Sequence, residues 1–225
     1  MTRRSAFSDL QAIIVDWNGV IGRQPTTLQW AHLAACAGWP IDELAAFQQE
    51  FWQARPPYDA GHAEGIEFWR ALVREPIRDD DDLLADLCRA ETAMWMGTDD
   101  EVLQALHPIR ASGTPVVLLS NAPTWIADAV DDTRWRRELI SEALYSARIK
   151  ACKPSRVAYE KALAAAGDPD PARTLFIDDR AVNCVAAAGL GMRTLHYVAD
   201  PHDLARHLAT GPEASAVPQQ TGALT

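Results

Sequence analysis

The sequence predicts an α/β protein: a Rossmann-like, doubly wound parallel sheet with an inserted all-helical subdomain. Three observations carry this. Short apolar runs, each stopping on polar residues, recur along the chain, helix-period segments follow the later ones, and roughly 75 residues without strand character separate the first run from the rest. With 225 residues, 48% hydrophobic and 23% charged, the chain can fill one medium-sized core but not two unrelated ones.

Ala12-Ile13-Ile14-Val15 is apolar on both faces and ends at Asp16, as suits a central parallel strand covered on both sides. The same form recurs at Val116-Val117-Leu118-Leu119, ending at Ser120, and at Leu175-Phe176-Ile177, ending at Asp178-Asp179. Helical periodicity covers residues 99–112, 124–130, 156–166, 181–190 and 204–208, with a further strand over 194–198 and Gly113, Gly167 and Gly189 as helix stops. Alternating strands and helices imply right-handed crossovers.

The insertion, residues 22–96, reads as helices over 27–37, 41–54, 63–74 and 83–96, broken at Gly38-Trp39-Pro40, Pro56-Pro57 and Glu75-Pro76. The core is thus expected at 1–21 and 97–210, with 211–225 a fraying tail rich in Ala, Pro, Gln, Ser and Thr. The acidic run Asp79-Asp80-Asp81-Asp82 sits directly before a helix, where carboxylates meet the positive end of the dipole. We read it as a solvated helix start, not a metal site.

Charge narrows the partners. Lys and Arg number 21 against 31 Asp and Glu, a net charge of −10. No stretch concentrates cations beside aromatics, which argues against sequence-independent nucleic-acid binding. The apolar runs are too short for a bilayer span, so a soluble, cytoplasmic protein without a membrane partner is expected. Whether it is a monomer or a homodimer is open. Cys36, Cys88, Cys152 and Cys184 are scattered without C-x-x-C pairs or nearby His at ligand spacing, and are expected to be buried free thiols.

In an open parallel sheet, ligands bind beyond the carboxyl ends of the strands. Asp16, Ser120, Asp178 and Asp179 each end such a run, and Lys153 lies on the loop entering the helix before the Leu175-Phe176-Ile177 strand. Three gathered carboxylates repel and would raise one another's pKa unless a cation keeps them ionised. A hard cation on oxygen ligands, a carboxylate nucleophile, a hydroxyl with amides, and an ammonium together suit phosphoryl transfer.

At these positions the chain resembles the haloacid dehalogenase (HAD) superfamily. Val15-Asp16-Trp17-Asn18-Gly19-Val20 resembles its first motif, Leu119-Ser120-Asn121 the second, Lys153-Pro154 the third, and Ile177-Asp178-Asp179-Arg180-Ala181-Val182-Asn183 the fourth. The helical insertion after the first motif is similar to the family's C1 cap, and Gly65-Ile66-Glu67-Phe68-Trp69 to a segment of its four-helix version. The resemblance implies Mg²⁺ and a small phosphorylated substrate, with Asp16 as the nucleophile that forms an aspartyl-phosphate. It further implies that Ser120 and the Asn121 backbone hold phosphoryl oxygens and that Lys153 pairs with nucleophile and phosphate. The metal would take Asp16, the Asn18 main-chain carbonyl and Asp178, with Asp179 supporting that shell.

The pattern breaks at Asn18, where the family's phosphatases usually place the Asp that protonates the leaving group and then activates water. An amide cannot shuttle a proton at neutral pH, and that help is typically worth about 10² to 10⁴ in rate. Asn18 leaves several readings open: a slowed phosphatase, a catalytically weak or inactive binding or scaffold protein, phosphoryl transfer to an alcohol, a 2-haloacid dehalogenase, or an Asp exchanged to stall turnover. The Asp178-Asp179 pair argues against dehalogenation, whose branch lacks it.

Five of the eight Trp fall in the insertion, where a small helical unit needs large side chains to bury enough area. Trp17, beside the nucleophile, and Trp39, Trp52, Tyr58 and His62 in the insertion are candidate substrate contacts. Arg23 and Arg180, beside motif residues, are candidate phosphate or carboxylate contacts. No P-loop, G-x-S-x-G elbow, dinucleotide fingerprint or H-E-x-x-H motif is present.

Overall fold

The computed structural model describes residues 9–75 and 77–210; the tail expected over 211–225 lies outside them. One parallel sheet contains β1 (Ala12–Val15), β2 (Val116–Ser120), β3 (Glu142–Tyr145), β4 (Thr174–Asp178) and β5 (Arg193–His196), in the order β3-β2-β1-β4-β5. Val15 of β1 lies opposite both Leu118 and Ile177. The strand order runs outward from β1 both ways, so the ligand crevice opens at the carboxyl tips of β1, β2 and β4.

The two-residue period of the strands divides the core. Ile13, Val15, Val116, Leu118, Leu175 and Ile177 enter one cluster, while Ile14, Val117, Leu119 and Phe176 enter the other. The insertion folds as α1 (Thr27–Cys36), α2 (Leu44–Asp59), α3 (Gly65–Leu72) and α4 (Asp81–Trp95). Trp30, Phe51 and Phe68 meet edge to face and belong to the same cluster as Val15 and Ile177. The insertion therefore shares its apolar interior with one face of the sheet. At the neck, Asp99 N donates to Ile21 O at 2.8 Å and Arg23 N to Gly97 O at 2.8 Å, so the two connecting segments pair with each other.

The sheet is covered by α5 (Asp100–Ala111), α6 (Thr124–Asp131), α7 (Arg134–Leu139), α8 (Ser146–Ile149), α9 (Arg156–Ala165), α10 (Ala181–Ala188) and α11 (Pro201–Thr210). A second contact ties the insertion to this layer: Ser146 Oγ donates to Asp59 O at 2.5 Å, and Lys150 Nζ to Gly61 O at 2.6 Å. The acidic run starts a helix as expected, with Asp80 capping α4 and Asp81 and Asp82 in its first turn. Among the described residues, no helix is long and apolar enough to cross a membrane.

Several expectations change. Helix α2 runs through Pro56-Pro57 to Asp59 instead of stopping at 54. The two prolines remove only the donors for the Trp52 and Gln53 carbonyls near its end, and burial of Phe47, Phe51, Arg55 and Tyr58 holds it together. Residues 41–43 form a short 3₁₀ turn, and β3, α7 and α8 escape periodicity altogether. β3 is a four-residue edge strand, Glu-Ala-Leu-Tyr, exposed at its start and lacking β-branched residues. The last strand is 193–196, not 194–198; Gly189 ends α10 as expected, and the left-handed residue lies two positions on, at Gly191. All four cysteines are free, but Cys36 is exposed and Cys152 half-buried, so only Cys88 and Cys184 are the buried thiols expected. Cys36, on the last turn of α1, points away from the side that buries Trp30, Leu33 and Ala34.

Candidate active site

The carboxyl tips of the central strands bring Asp16, Ser120, Lys153, Asp178 and Asp179 together. Lys153 Nζ stands 2.6 Å from Asp16 Oδ1 and 2.7 Å from Asp178 Oδ2, and all three side chains are buried. The Asn121 amide fixes the lysine's backbone, donating to Lys153 O at 2.8 Å and accepting from Lys153 N at 2.8 Å. Position 121 thus aims the lysine through its side chain, a role motif reading did not assign.

Asp178 is fully enclosed. It accepts from Arg180 N at 2.8 Å and from Asn183 Nδ2 at 2.9 and 3.1 Å, and Tyr159 Oη in turn donates to Asn183 O at 2.9 Å. Asp16 Oδ1 also accepts from Trp17 N at 2.7 Å. Asp179 Oδ2 accepts from Gln24 Nε2 at 3.3 Å and packs against Gly19, where a Cβ would lie 2.1 Å from that oxygen. Gly19 adopts φ +82°, so its place in the first motif has both a steric and a conformational reason.

Burial pushes the Asp16 carboxyl up to about 7, against the downward pull of Lys153 and with a further rise from Asp178 and Asp179. Burial and Asp178 also raise Asp179. Burial alone would lower the Lys153 ammonium, but Asp16 and Asp178 outweigh it, so it stays charged. One oxygen from each of Asp16, Asp178 and Asp179 lies within 4.8 Å of the others. Three carboxylates against one ammonium leave two negative charges, and Asn18 Oδ1, on the cavity wall, is buried without a hydrogen-bond partner. This donor set fits a divalent hard cation.

A cavity of about 670 Å³ opens over these residues, large enough for a small metabolite. Asp16, Asn18, Ser120 and Lys153 form its floor, and Trp52, Arg55, Pro56, Asp59 and Trp95 of the insertion complete the wall. Trp17 reaches the wall, though its ring is chiefly a packing element, stacked on Trp135 at 4.9 Å with 1° between planes. Of the other candidate contacts, Trp52 and Arg180 line the cavity. Trp39 instead donates to Leu72 O at 2.8 Å under Arg74, Tyr58 stacks on Phe68, and His62 lies off the wall. Arg23 turns outward toward Asp99, 3.9 Å away.

The insertion adds a buried charged cluster that motif reading missed. Arg55 Nε donates to Asp59 Oδ1 at 2.6 Å, Arg55 Nη1 pairs with Glu91, and Trp69 Nε1 donates to Glu91 Oε2 at 3.1 Å. The Arg55 guanidinium also lies over the Phe51, Tyr58 and Phe68 rings. A signal was available: Phe47, Phe51, Arg55 and Asp59 follow one another at four-residue spacing, so a charged pair continues a buried stripe.

The family model of haloacid dehalogenase-like hydrolases matches residues 10–191, and the chain belongs to that hydrolase family. Its fold is similar to that of a HAD family enzyme from Bacteroides thetaiotaomicron solved in complex with magnesium and inorganic phosphate. The two are 22% identical with a TM-score of 0.66, over 83% of this chain and 93% of that one. It is also similar to the L-2-haloacid dehalogenase from Xanthobacter autotrophicus, at 17% identity and a TM-score of 0.63, over 92% of this chain and 85% of that one. No curated protein matches the sequence.

Proposed function

We propose that this hydrolase is a Mg²⁺-dependent phosphatase of a small phosphorylated metabolite, working through an aspartyl-phosphate on Asp16 and slowed by Asn18. The observation that carries this reading is the cluster of buried Asp16 and Asp178, both paired with one lysine, and half-buried Asp179 beside them, whose surplus negative charge suits a divalent cation. Asp16, Asp178 and the Asn18 main-chain carbonyl would hold Mg²⁺ with Asp179 in support, and the ion would neutralise phosphoryl oxygens. The similar enzyme crystallised with magnesium and phosphate supports the same ligand pair.

The chain's own residues do the rest. Lys153 favours the ionised form of Asp16 against the effect of burial and adds a positive charge for the phosphoryl group, with its backbone held by Asn121. Ser120, buried on the cavity floor, offers its hydroxyl to a phosphoryl oxygen, and the main-chain N–H of Asn121 offers a second donor. The helical insertion, as a cap, screens the acyl phosphate from bulk water. Asn18 can hydrogen-bond the transferring group but cannot protonate a leaving alkoxide.

The test is a panel of phosphomonoesters with and without Mg²⁺, together with intact-mass analysis of acid-quenched enzyme. Metal-dependent phosphate release and a phosphate-sized mass gain on Asp16, absent in Asp16→Asn, are expected. Absence of both across the panel would sink the reading, and chloride release from a 2-haloacid without metal would replace it with dehalogenation.

A further inference from the structure

Asn18 puts an amide where a phosphatase of this family usually places its proton carrier, and the cavity wall contains one further carboxyl group. Among the described residues, the carboxylic acids lining the cavity are Asp16, Asp179 and Asp59. Asp16 is needed as nucleophile and Asp179 belongs to the metal cluster, so Asp59 is the carboxyl group with no other assignment there.

Its placement is specific. Asp59 is the last residue of α2, on the insertion, and lines the same cavity as Asp16, Asn18 and Ser120. Its carbonyl accepts from Ser146 Oγ at 2.5 Å, and that same oxygen accepts from Ala122 N at 3.0 Å. One hydroxyl therefore pins Asp59 to the loop that follows Ser120 and Asn121, two residues of the same cavity lining.

Its chemistry is also suited to the task. Asp59 and Glu91 share the single Arg55 guanidinium in a buried cluster, with Tyr58, Arg180 and Cys152 as the other ionisable groups that interact with Asp59. Two carboxylates on one cation carry a surplus negative charge that burial disfavours, so the pair readily takes up one proton. Burial accordingly raises Asp59 against the pull of Arg55 and Arg180.

We propose that Asp59 is the general acid and base of this active site, supplied by the cap in place of the residue at position 18. The assignment rests on the phosphatase reading above. As Asp16 bonds to phosphorus and the ester P–O bond breaks, the Asp59 proton passes to the leaving oxygen, giving the free alcohol and an Asp59 carboxylate. Water then bonds to phosphorus as the bond to Asp16 breaks. Its proton returns to Asp59, phosphate leaves, and both carboxyl groups regain their starting states.

The experiment compares p-nitrophenyl phosphate, whose leaving group needs no proton, with phenyl phosphate, whose leaving group does, using wild type, Asp59→Asn and Asp59→Glu with Mg²⁺. Asp59→Asn should lower kcat/KM for phenyl phosphate by about 10² or more while leaving that for p-nitrophenyl phosphate within a few-fold. It should also show a stoichiometric nitrophenolate burst with phosphate retained on Asp16, because the second step has lost its base. Asp59→Glu should keep part of both activities, and Asn18→Asp placed in the Asp59→Asn chain should restore turnover. A folding defect would instead depress both esters equally without a burst, and equal loss, or no loss, overturns the assignment. A wild-type chain that releases phosphate from neither these esters nor the wider panel overturns the phosphatase reading, and this assignment with it.

Discussion

Lys153 Nζ lies 2.6 Å from Asp16 Oδ1 with 1% of the lysine side chain exposed, and the same ammonium reaches Asp178. This one cation offsets much of the charge that the strand tips concentrate. Lys153→Met should therefore leave two buried carboxylates unpaired and destabilise the fold by about 3–5 kcal/mol. Urea unfolding measures it, and millimolar Mg²⁺ should recover part of the loss if the carboxylates share a metal.

Metal affinity should depend on pH. With the Asp16 carboxyl pushed up to about 7 in the metal-free protein, lowering the pH protonates a ligand that Mg²⁺ needs ionised. Affinity is then full above about pH 8 and falls as the pH drops through 7, by roughly 10- to 30-fold at pH 5.5. Calorimetric Mg²⁺ titrations across that range check the sign, and a pH-independent affinity would contradict it.

Gly19 packs against Asp179 with φ +82°, where an added Cβ would overlap the carboxylate oxygen. Gly19→Ala should displace Asp179 and weaken Mg²⁺ binding at least tenfold, with about 1–3 kcal/mol of stability lost to the strained backbone. Metal titration and a thermal melt separate the two effects.

Asn18 Oδ1 is buried on the cavity wall without a partner. Asn18→Asp places a proton carrier beside the nucleophile; it should raise turnover of poor leaving groups only a few-fold while Asp59 is present but by about 10²-fold in the Asp59→Asn chain, and should change that of p-nitrophenyl phosphate little in either. Steady-state kinetics on a leaving-group series reads this directly.

Arg55 balances two acids in the cap and packs on three aromatic rings. Arg55→Met removes that charge and should cost about 3–5 kcal/mol. Arg55→Met combined with Glu91→Gln should recover a good part of it, because only the Asp59 carboxyl then remains to be satisfied. A double-mutant cycle by urea unfolding gives the coupling.

The strands of the sheet's centre were legible because a parallel strand covered on both faces must be apolar throughout, and Ala12 to Val15, Val116 to Leu119 and Leu175 to Ile177 are. β3 was not, because an edge strand with one exposed end has no such requirement. The prolines at 56 and 57 read as a break, yet packing around Phe51 and Arg55 outweighs two lost hydrogen bonds. The tips at Asp16, Ser120 and Asp178 could be read from topology, since strand ends converge wherever a parallel sheet changes direction. Arg55, Asp59 and Glu91 could not, because their roles depend on how a helical cap turns over the sheet.

The chain's order of apolar runs and polar stops was enough, without coordinates, to establish an open α/β sheet, its helical insertion and the carboxylates at its tips. Those features follow from local periodicity and from the geometry every parallel sheet shares. Only the folded molecule decided that Lys153 bridges two of those carboxylates, that Asn121 orients it, and that Asp59 lines the same cavity. Such contacts join residues far apart in sequence, and their distances arise from packing that no local pattern encodes.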